Sequence, residues 1–216
     1  MMRLGVIAAL AEEADALYPG RGRSEALGPL PARRLGGVTI VTSAIGKVNA
    51  ALAATLLAPH SDLLLVIGTA GRIGSGQHVG ACWIAEAAQH DYGARRRDHF
   101  QHYSAGAIPI GPAPVEPFRA IADPGSGLPA VGIASGDSFV ECADHGALLA
   151  DNLNAHVVDM ETAAVAQVAQ AFGLGWAAIK AISDGADGDS AATFRDNLLR
   201  AADEAARAAE RVIALL

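Results

Sequence analysis

The chain has 216 residues, of which 51% are hydrophobic, 18% charged and 5% aromatic. A chain of this length buries roughly 70% of the surface its unfolded form exposes, so one domain spanning residues 1–216 needs no disulfide or metal to hold it together. The formal net charge of −7 argues against nucleic-acid binding, which calls for a basic face, and against an anionic membrane surface; the apolar content argues against disorder.

In chain order, the N-terminal Met1-Met2-Arg3-Leu4-Gly5-Val6-Ile7 starts like a signal peptide, but Glu12, Glu13 and Asp15 interrupt it before a cleavage site. Residues 3–9 are therefore predicted as a first strand. A helix over 12–17, a strand over 38–44, a helix over 48–58 and a strand over 63–68 follow. The glycine-rich Gly68-Thr69-Ala70-Gly71-Arg72-Ile73-Gly74 then reads as a tight turn. A strand over 81–85 comes next. Between residues 89 and 129 the periodicity is lost, and Pro109, Pro112, Pro114, Pro117, Pro124 and Pro129 punctuate an irregular segment. Strands over 130–134 and 156–159, a helix over 161–172 stopped by Gly173 and a strand over 176–182 complete the alternation. The last helix, 193–216, carries Leu198, Ala201, Ala205, Ala208, Val212 and Leu215 along one stripe, with Asp189 and Ser190 upstream as N-cap candidates. Short, continuously apolar strands alternating with helices predict an α/β domain with a parallel or mixed sheet covered on both faces. No run reaches the eighteen or so apolar residues of a membrane span.

Cys82 and Cys142 are the only cysteines. Two thiols on separate segments make no disulfide framework, which points to a reducing cytoplasm. His99 and His102 have the spacing of a metal pair but no third ligand nearby, and three consecutive arginines, Arg95-Arg96-Arg97, cannot all face one phosphate. The glycine segment fails both the dinucleotide and the Walker patterns.

Three acidic positions are informative: Glu12-Glu13, Asp159-Met160-Glu161 and Asp184 each stand where an apolar run stops. Any one of them fits a helix N-cap or first-turn charge. Three together, with little other charge in the apolar stretches, point to a crevice at the carboxyl ends of strands. Carboxyl groups there can divide general-acid and general-base work.

These acids and their neighbours resemble the nucleoside phosphorylase/hydrolase superfamily, and within it the 5′-methylthioadenosine/S-adenosylhomocysteine nucleosidases. The resemblance covers nearly the whole chain. It is anchored on Gly5-Val6-Ile7-Ala8-Ala9-Leu10-Ala11-Glu12-Glu13, Ile45-Gly46-Lys47-Val48-Asn49-Ala50-Ala51, Gly68-Thr69-Ala70-Gly71, Ser135-Gly136-Asp137-Ser138-Phe139-Val140, Val158-Asp159-Met160-Glu161 and Ala181-Ile182-Ser183-Asp184-Gly185-Ala186-Asp187. It implies a three-layer α/β/α sandwich around a central mixed sheet, a homodimer, a small nucleoside as substrate, a role in methionine salvage, and neither metal nor organic cofactor. By the resemblance, Glu13 activates the attacking water, with Glu12 as the neighbouring alternative. Asp184 protonates N7 of adenine and Ser183 orients it. Glu161 binds the ribose hydroxyls beside Met160. Phe139 and Val140 hold the base, Thr69 lies near the ribose, and Leu10, Ile45 and Phe194 line the pocket for the 5′-substituent.

Hydrolysis and phosphorolysis are the two branches of this superfamily. Binding a phosphate dianion calls for arginine. The family's phosphorylases carry arginine two residues before the glycine of the Gly-Thr/Ser-x-Gly turn and in the N-terminal loop. Here those places hold Val66 and an arginine-free stretch, residues 8–17, so water is the expected nucleophile. Arg72 stands where the family has glycine and Asp159 where it has glutamate. These departures leave the 5′-substituent open, so futalosine and lipid-linked adenosines stay as alternatives beside purine nucleoside phosphorolysis.

Overall fold

The computed structural model describes every residue except Met1, Gln77, Pro112 and Ala113; Pro112, one of the prolines of the irregular segment, thus lies outside the described residues. The strands are β1 (Leu4–Ala8), β2 (Arg23–Leu27), β3 (Leu30–Leu35), β4 (Val38–Thr42), β5 (Leu63–Arg72), β6 (Ala81–Gln89), β7 (Gly93–Arg95), β8 (Phe100–His102), β9 (Phe118–Arg119), β10 (Ala130–Ser135), β11 (Val157–Asp159) and β12 (Gly175–Asp184). The helices are α1 (Ala11–Ala16), α2 (Lys47–Leu57), α3 (Ala143–Leu153), α4 (Thr162–Ala171) and α5 (Ser190–Ile213).

The main sheet runs β11-β10-β6-β12-β5-β1-β4-β3-β2, with β9 added to β6. It is mixed. β1 is parallel to β4 and β5, and β12 is parallel to β5 but antiparallel to β6. β10 is parallel to β6 and β11, and the far end of β5 pairs antiparallel with β11. Five strands, β5, β12, β6, β10 and β11, therefore close into a ring, in which β5 and β12 run opposite to β6, β10 and β11.

Alternate residues of the central strands face opposite sides, as the pleat requires. Ile7, Leu64, Val66 and Ala178 meet Ala50, Ala53 and Leu57 of α2 and Ala163, Ala166 and Ala169 of α4. Val6, Leu65, Ile67 and Ile179 meet Ala14 of α1 and Ala206, Ala209 and Val212 of α5. The product is an α/β/α sandwich. Its helix contacts are mostly alanine, so backbones approach closely and few large rings are needed. Among the described residues no helix is long and apolar enough to cross a membrane.

The structure departs from the sequence reading in four places. Residues 23–35, left without an element, form the β2–β3 hairpin on the outer edge of the sheet. Its alternating charges hide it, and Arg33 belongs there because its guanidinium donates to the carbonyls of Ala14, Leu17, Tyr18 and Arg21 at 2.6–2.9 Å. Residues 143–153 form α3, whose small apolar patch packs against Ile73 and Val158. The segment after β6 contains the β7–β8 ribbon and β9. Finally, the Gly68–Arg72 stretch is no turn: β5 continues through it to Arg72. Gly68 is needed there because its φ is +146° and because a Cβ would lie 2.6–2.8 Å from the Glu13 carboxylate.

Candidate active site

A cleft opens beside the carboxyl ends of β1, β5, β11 and β12, where small-molecule sites of α/β sheets are expected. Its wall includes Leu10, Glu13, Ile45, Thr69, Phe139, Val140, Met160, Glu161, Ser183, Asp184 and Phe194. Every residue expected at the site from the sequence thus borders one cavity. Glu12, the neighbour of Glu13, does not: it is exposed, while Glu13 is 3% exposed. Consecutive positions on a helix point about 100° apart, so only one of the pair can face inward.

Glu13 is held from four sides. Its Oε2 accepts the backbone N–H groups of Ala9 and Leu10, both at 3.1 Å, which caps α1 from its own third position. Its Oε1 accepts the N–H of Thr69 at 2.9 Å and the Thr69 hydroxyl at 3.0 Å. Capping and site lining are therefore the same side chain's two edges. Three of the donors are fixed backbone groups. The Thr69 hydroxyl alone can rotate away.

Asp184 ends β12. The register with β5 slips between Ile182 and Asp184, a bulge that re-aims side chains at a strand end. Ser183 Oγ donates to Asp184 Oδ2 at 2.8 Å, and the N–H of Ala186 donates to Oδ1 at 2.9 Å. Asn197 of α5 holds the carbonyl of Ser183 at 3.0 Å. Gly71 leaves room for this carboxyl, since a Cβ there would sit 3.0 Å from Oδ1.

Asp159 and Glu161 share a buried cation that sequence reasoning missed, Lys180 of β12, which is 1% exposed. Its Nζ lies 2.9 Å from Asp159 Oδ2 and 3.8 Å from Glu161 Oε2. The available signal was a lone lysine inside the apolar run 176–182, because a charge there must be paired. Asp159 also accepts the Ser135 and Thr162 hydroxyls and the Thr162 N–H. Burial alone would raise its pKa, but Lys180 and these donors together hold it below the usual carboxylate range. Glu161 has only the N–H of Gly46, at 3.0 Å, and the more distant ammonium. Burial, reinforced by the charge of Asp159, pushes its pKa from 4.5 up to about 7 despite Lys180. The two carboxylates raise the pKa of Lys180 despite its burial. Asp159, bonded to the first turn of α4, serves the scaffold; Glu161 turns to the cleft.

Phe139 and Phe194 meet edge to face across the mouth, ring centroids 6.1 Å apart. No arginine or lysine borders the cavity among the described residues, and Val66 lies in the core beneath α2. His102 is buried and His99 exposed, and among the described residues no three metal-binding side chains converge. Cys82 is buried, and burial pushes its thiol up to about 12, a packing role rather than a nucleophile's.

The sequence profile of the phosphorylase superfamily matches residues 3–214. A 5′-methylthioadenosine/S-adenosylhomocysteine nucleosidase of Haemophilus influenzae is 32% identical, over 94% of this chain and 95% of its own length. This chain belongs to that nucleosidase family. Two structures from Helicobacter pylori, each 23% identical, share its fold. One is a mutant nucleosidase of this family holding 5′-methylthioadenosine in its active site, with a TM-score of 0.85 over 100% of both chains. The other is a futalosine hydrolase, with a TM-score of 0.84 over 100% of this chain and 98% of its own.

Proposed function

We propose that this nucleosidase-family chain, acting as one domain, hydrolyses the N-glycosidic bond of a 5′-substituted adenosine of the methylthioadenosine or adenosylhomocysteine type and releases adenine. The observation that carries the reading is the meeting of Glu13, Glu161 and Asp184 around one cavity whose wall holds no arginine or lysine among the described residues. A phosphate dianion has no cation to pair with there; Lys180 is already engaged by two carboxylates.

Breaking the bond builds positive charge on the ribose, while adenine leaves poorly as an anion. Asp184, oriented by Ser183, protonates N7, and each well-placed acid or base contributes about 10²–10⁴-fold. Glu13 takes a proton from water aimed at C1′. For that, one of its four acceptor positions must come free, and the Thr69 hydroxyl is the donor able to swing aside. Glu161 grips the ribose hydroxyls beside Met160, and in its ionised form it stabilises the oxocarbenium-like sugar more as charge develops. Phe139 and Val140 hold the base. Leu10, Ile45 and Phe194 face the 5′-substituent with apolar surface suited to a thioether.

The test is base release from methylthioadenosine, adenosylhomocysteine, futalosine, inosine and adenosine, each with and without phosphate. The expected result is adenine from the first two without phosphate, nearly abolished in Asp184→Asn. Strict phosphate dependence selects a phosphorylase instead, and preferential turnover of futalosine selects the activity named for the second structural neighbour. The protein also acts as a homodimer in this reading, supported by Ile45, Val48 and Leu52, an exposed apolar strip beside the cleft that is unusual on a free surface. Light scattering distinguishes a 22.0 kDa monomer from twice that mass. Two unpaired cysteines support a reducing, cytoplasmic setting, and the place in methionine salvage rests on the methylthioadenosine reading alone.

A further inference from the structure

Lys47 and the acid Asp91 of the irregular segment have no part in the chemistry above, yet the fold ties them together. Lys47 opens α2. Its Nζ reaches Asp91 Oδ1 at 2.6 Å and Gln89 Oε1 at 3.1 Å, just beyond and at the end of β6. The other oxygen of Asp91 accepts the backbone N–H of Asp137 at 2.9 Å. Asp137 closes the ring, its Oδ1 accepting the backbone N–H of Lys47 at 2.7 Å, where a carboxylate also complements the start of a helix. The Lys47 and Asp91 side chains are 19% and 26% exposed, sheltered enough for a charged pair to outlast solvent competition.

What the ring holds is the connection between β10 and α3. Gly136 is fixed at its base by the carbonyl of Asp159 at 3.1 Å. Beyond Asp137, residues 138–141 make no hydrogen bond of their own among the described residues. This is the stretch that brings Ser138, Phe139 and Val140 to the cavity wall. The same α2 entry turn also donates the Gly46 N–H to Glu161. Gly46 has φ +101°, and a Cβ there would sit 3.1 Å from Asp137 Oδ1. One short turn thus touches both the loop that faces the base and the acid that faces the ribose.

We propose that Lys47, Asp91 and Asp137 form a clasp that fixes residues 136–141 over the cavity, making Lys47 and Asp91 positioning residues for the nucleobase. The role toward the base rests on the nucleosidase reading; the clasp itself does not. Its strength depends on Asp91 staying ionised, and Lys47 and the Asp137 N–H hold that carboxyl below its usual range against the opposing effect of burial.

The experiment pairs hydrogen exchange of the unliganded protein with steady-state kinetics on methylthioadenosine, in wild type, Asp91→Ala, Lys47→Met and Lys47→Arg. Asp91→Ala removes the acceptor of the Asp137 N–H and the partner of the Lys47 ammonium, leaving the bond from the Lys47 N–H to Asp137 in place. It is expected to speed exchange of the Gly136 and Asp137 amides, the hydrogen-bonded ones of the segment, by about tenfold or more, the rest of the chain keeping its protection. It should raise KM about tenfold while kcat stays within about threefold, the pattern of lost binding rather than lost chemistry. Lys47→Met, which spares the Asp91–Asp137 bond, should show a smaller change in the same direction, and Lys47→Arg should restore most of it. Unaltered exchange in Asp91→Ala overturns the clasp. Faster exchange with an unaltered KM overturns the positioning role. Accelerated exchange across the whole chain together with a fallen kcat shows a general scaffold contact instead. Because exchange is read without substrate, an inactive wild type overturns the nucleosidase reading and leaves the clasp to be judged on exchange alone.

Discussion

Lys180→Met is the most demanding test of the site's electrostatics. The ammonium it removes is 1% exposed, 2.9 Å from one carboxylate and 3.8 Å from another. Methionine fills similar volume, so little of the effect comes from a cavity. What remains is an acidic pair buried without its counter-ion, and breaking a buried ion pair from one side costs about 3–5 kcal/mol. For a chain of this size each kcal/mol moves Tm by about 2–4 °C, so calorimetry at pH 7 should show a fall on the order of 10 °C. Without Lys180 the pKa values of both Asp159 and Glu161 climb. A carboxyl raised in the folded state stabilises below its unfolded pKa and loses that contribution as pH rises. The variant should therefore recover stability relative to wild type as pH falls from 7 to 5. Adding Asp159→Asn should return at least half of the lost Tm, because the amide keeps the Ser135 and Thr162 partners without the stranded charge. A fall in Tm below about 2 °C, or a double variant less stable than Lys180→Met, refutes this account of the buried triad.

Two further outcomes follow from the same geometry. Glu161, raised from 4.5 to about 7, contributes stability that is full below about 4.5 and lost as pH rises through about 7. Unfolding free energies measured between pH 5 and 8 should fall over that window in wild type and stay flat in Glu161→Gln, while kcat/KM of wild type rises along an acidic limb with an apparent pKa near 7, since kcat/KM reports the free enzyme; a limb unmoved in Glu161→Gln assigns it to another group. Gly68→Ala places a Cβ within 2.6–2.8 Å of the Glu13 carboxylate at φ +146°, so the base must shift; kcat should drop by about 10²-fold, and wild-type turnover in a folded variant contradicts the placement of Glu13.

The apolar strand bodies and the last helix were legible because a buried strand needs unbroken apolar residues and a packed helix needs a three-to-four repeat. Such needs are local and leave their mark in any window of the chain. The β2–β3 hairpin escaped for the opposite reason: Arg33 sits in a strand only because four carbonyls from α1 and its exit happen to surround it. Likewise Gly68–Arg72 looked like a turn, since nothing adjacent in the chain reveals that a glutamate 55 residues earlier needs the space a Cβ would fill.

The candidate site divides along the same line. Its acids were readable from one-dimensional order, each marking the end of an apolar run, and that order alone placed Glu13, Glu161 and Asp184 at strand ends. Which of Glu12 and Glu13 turns inward depended on the rotation of α1 against Thr69. That Asp159 keeps the proton off while Glu161 holds it nearer neutrality depended on a lysine from another strand lying 2.9 Å from one and 3.8 Å from the other. Patterning sets which residues leave water, but the charge each one carries afterwards is decided by what folding brings beside it.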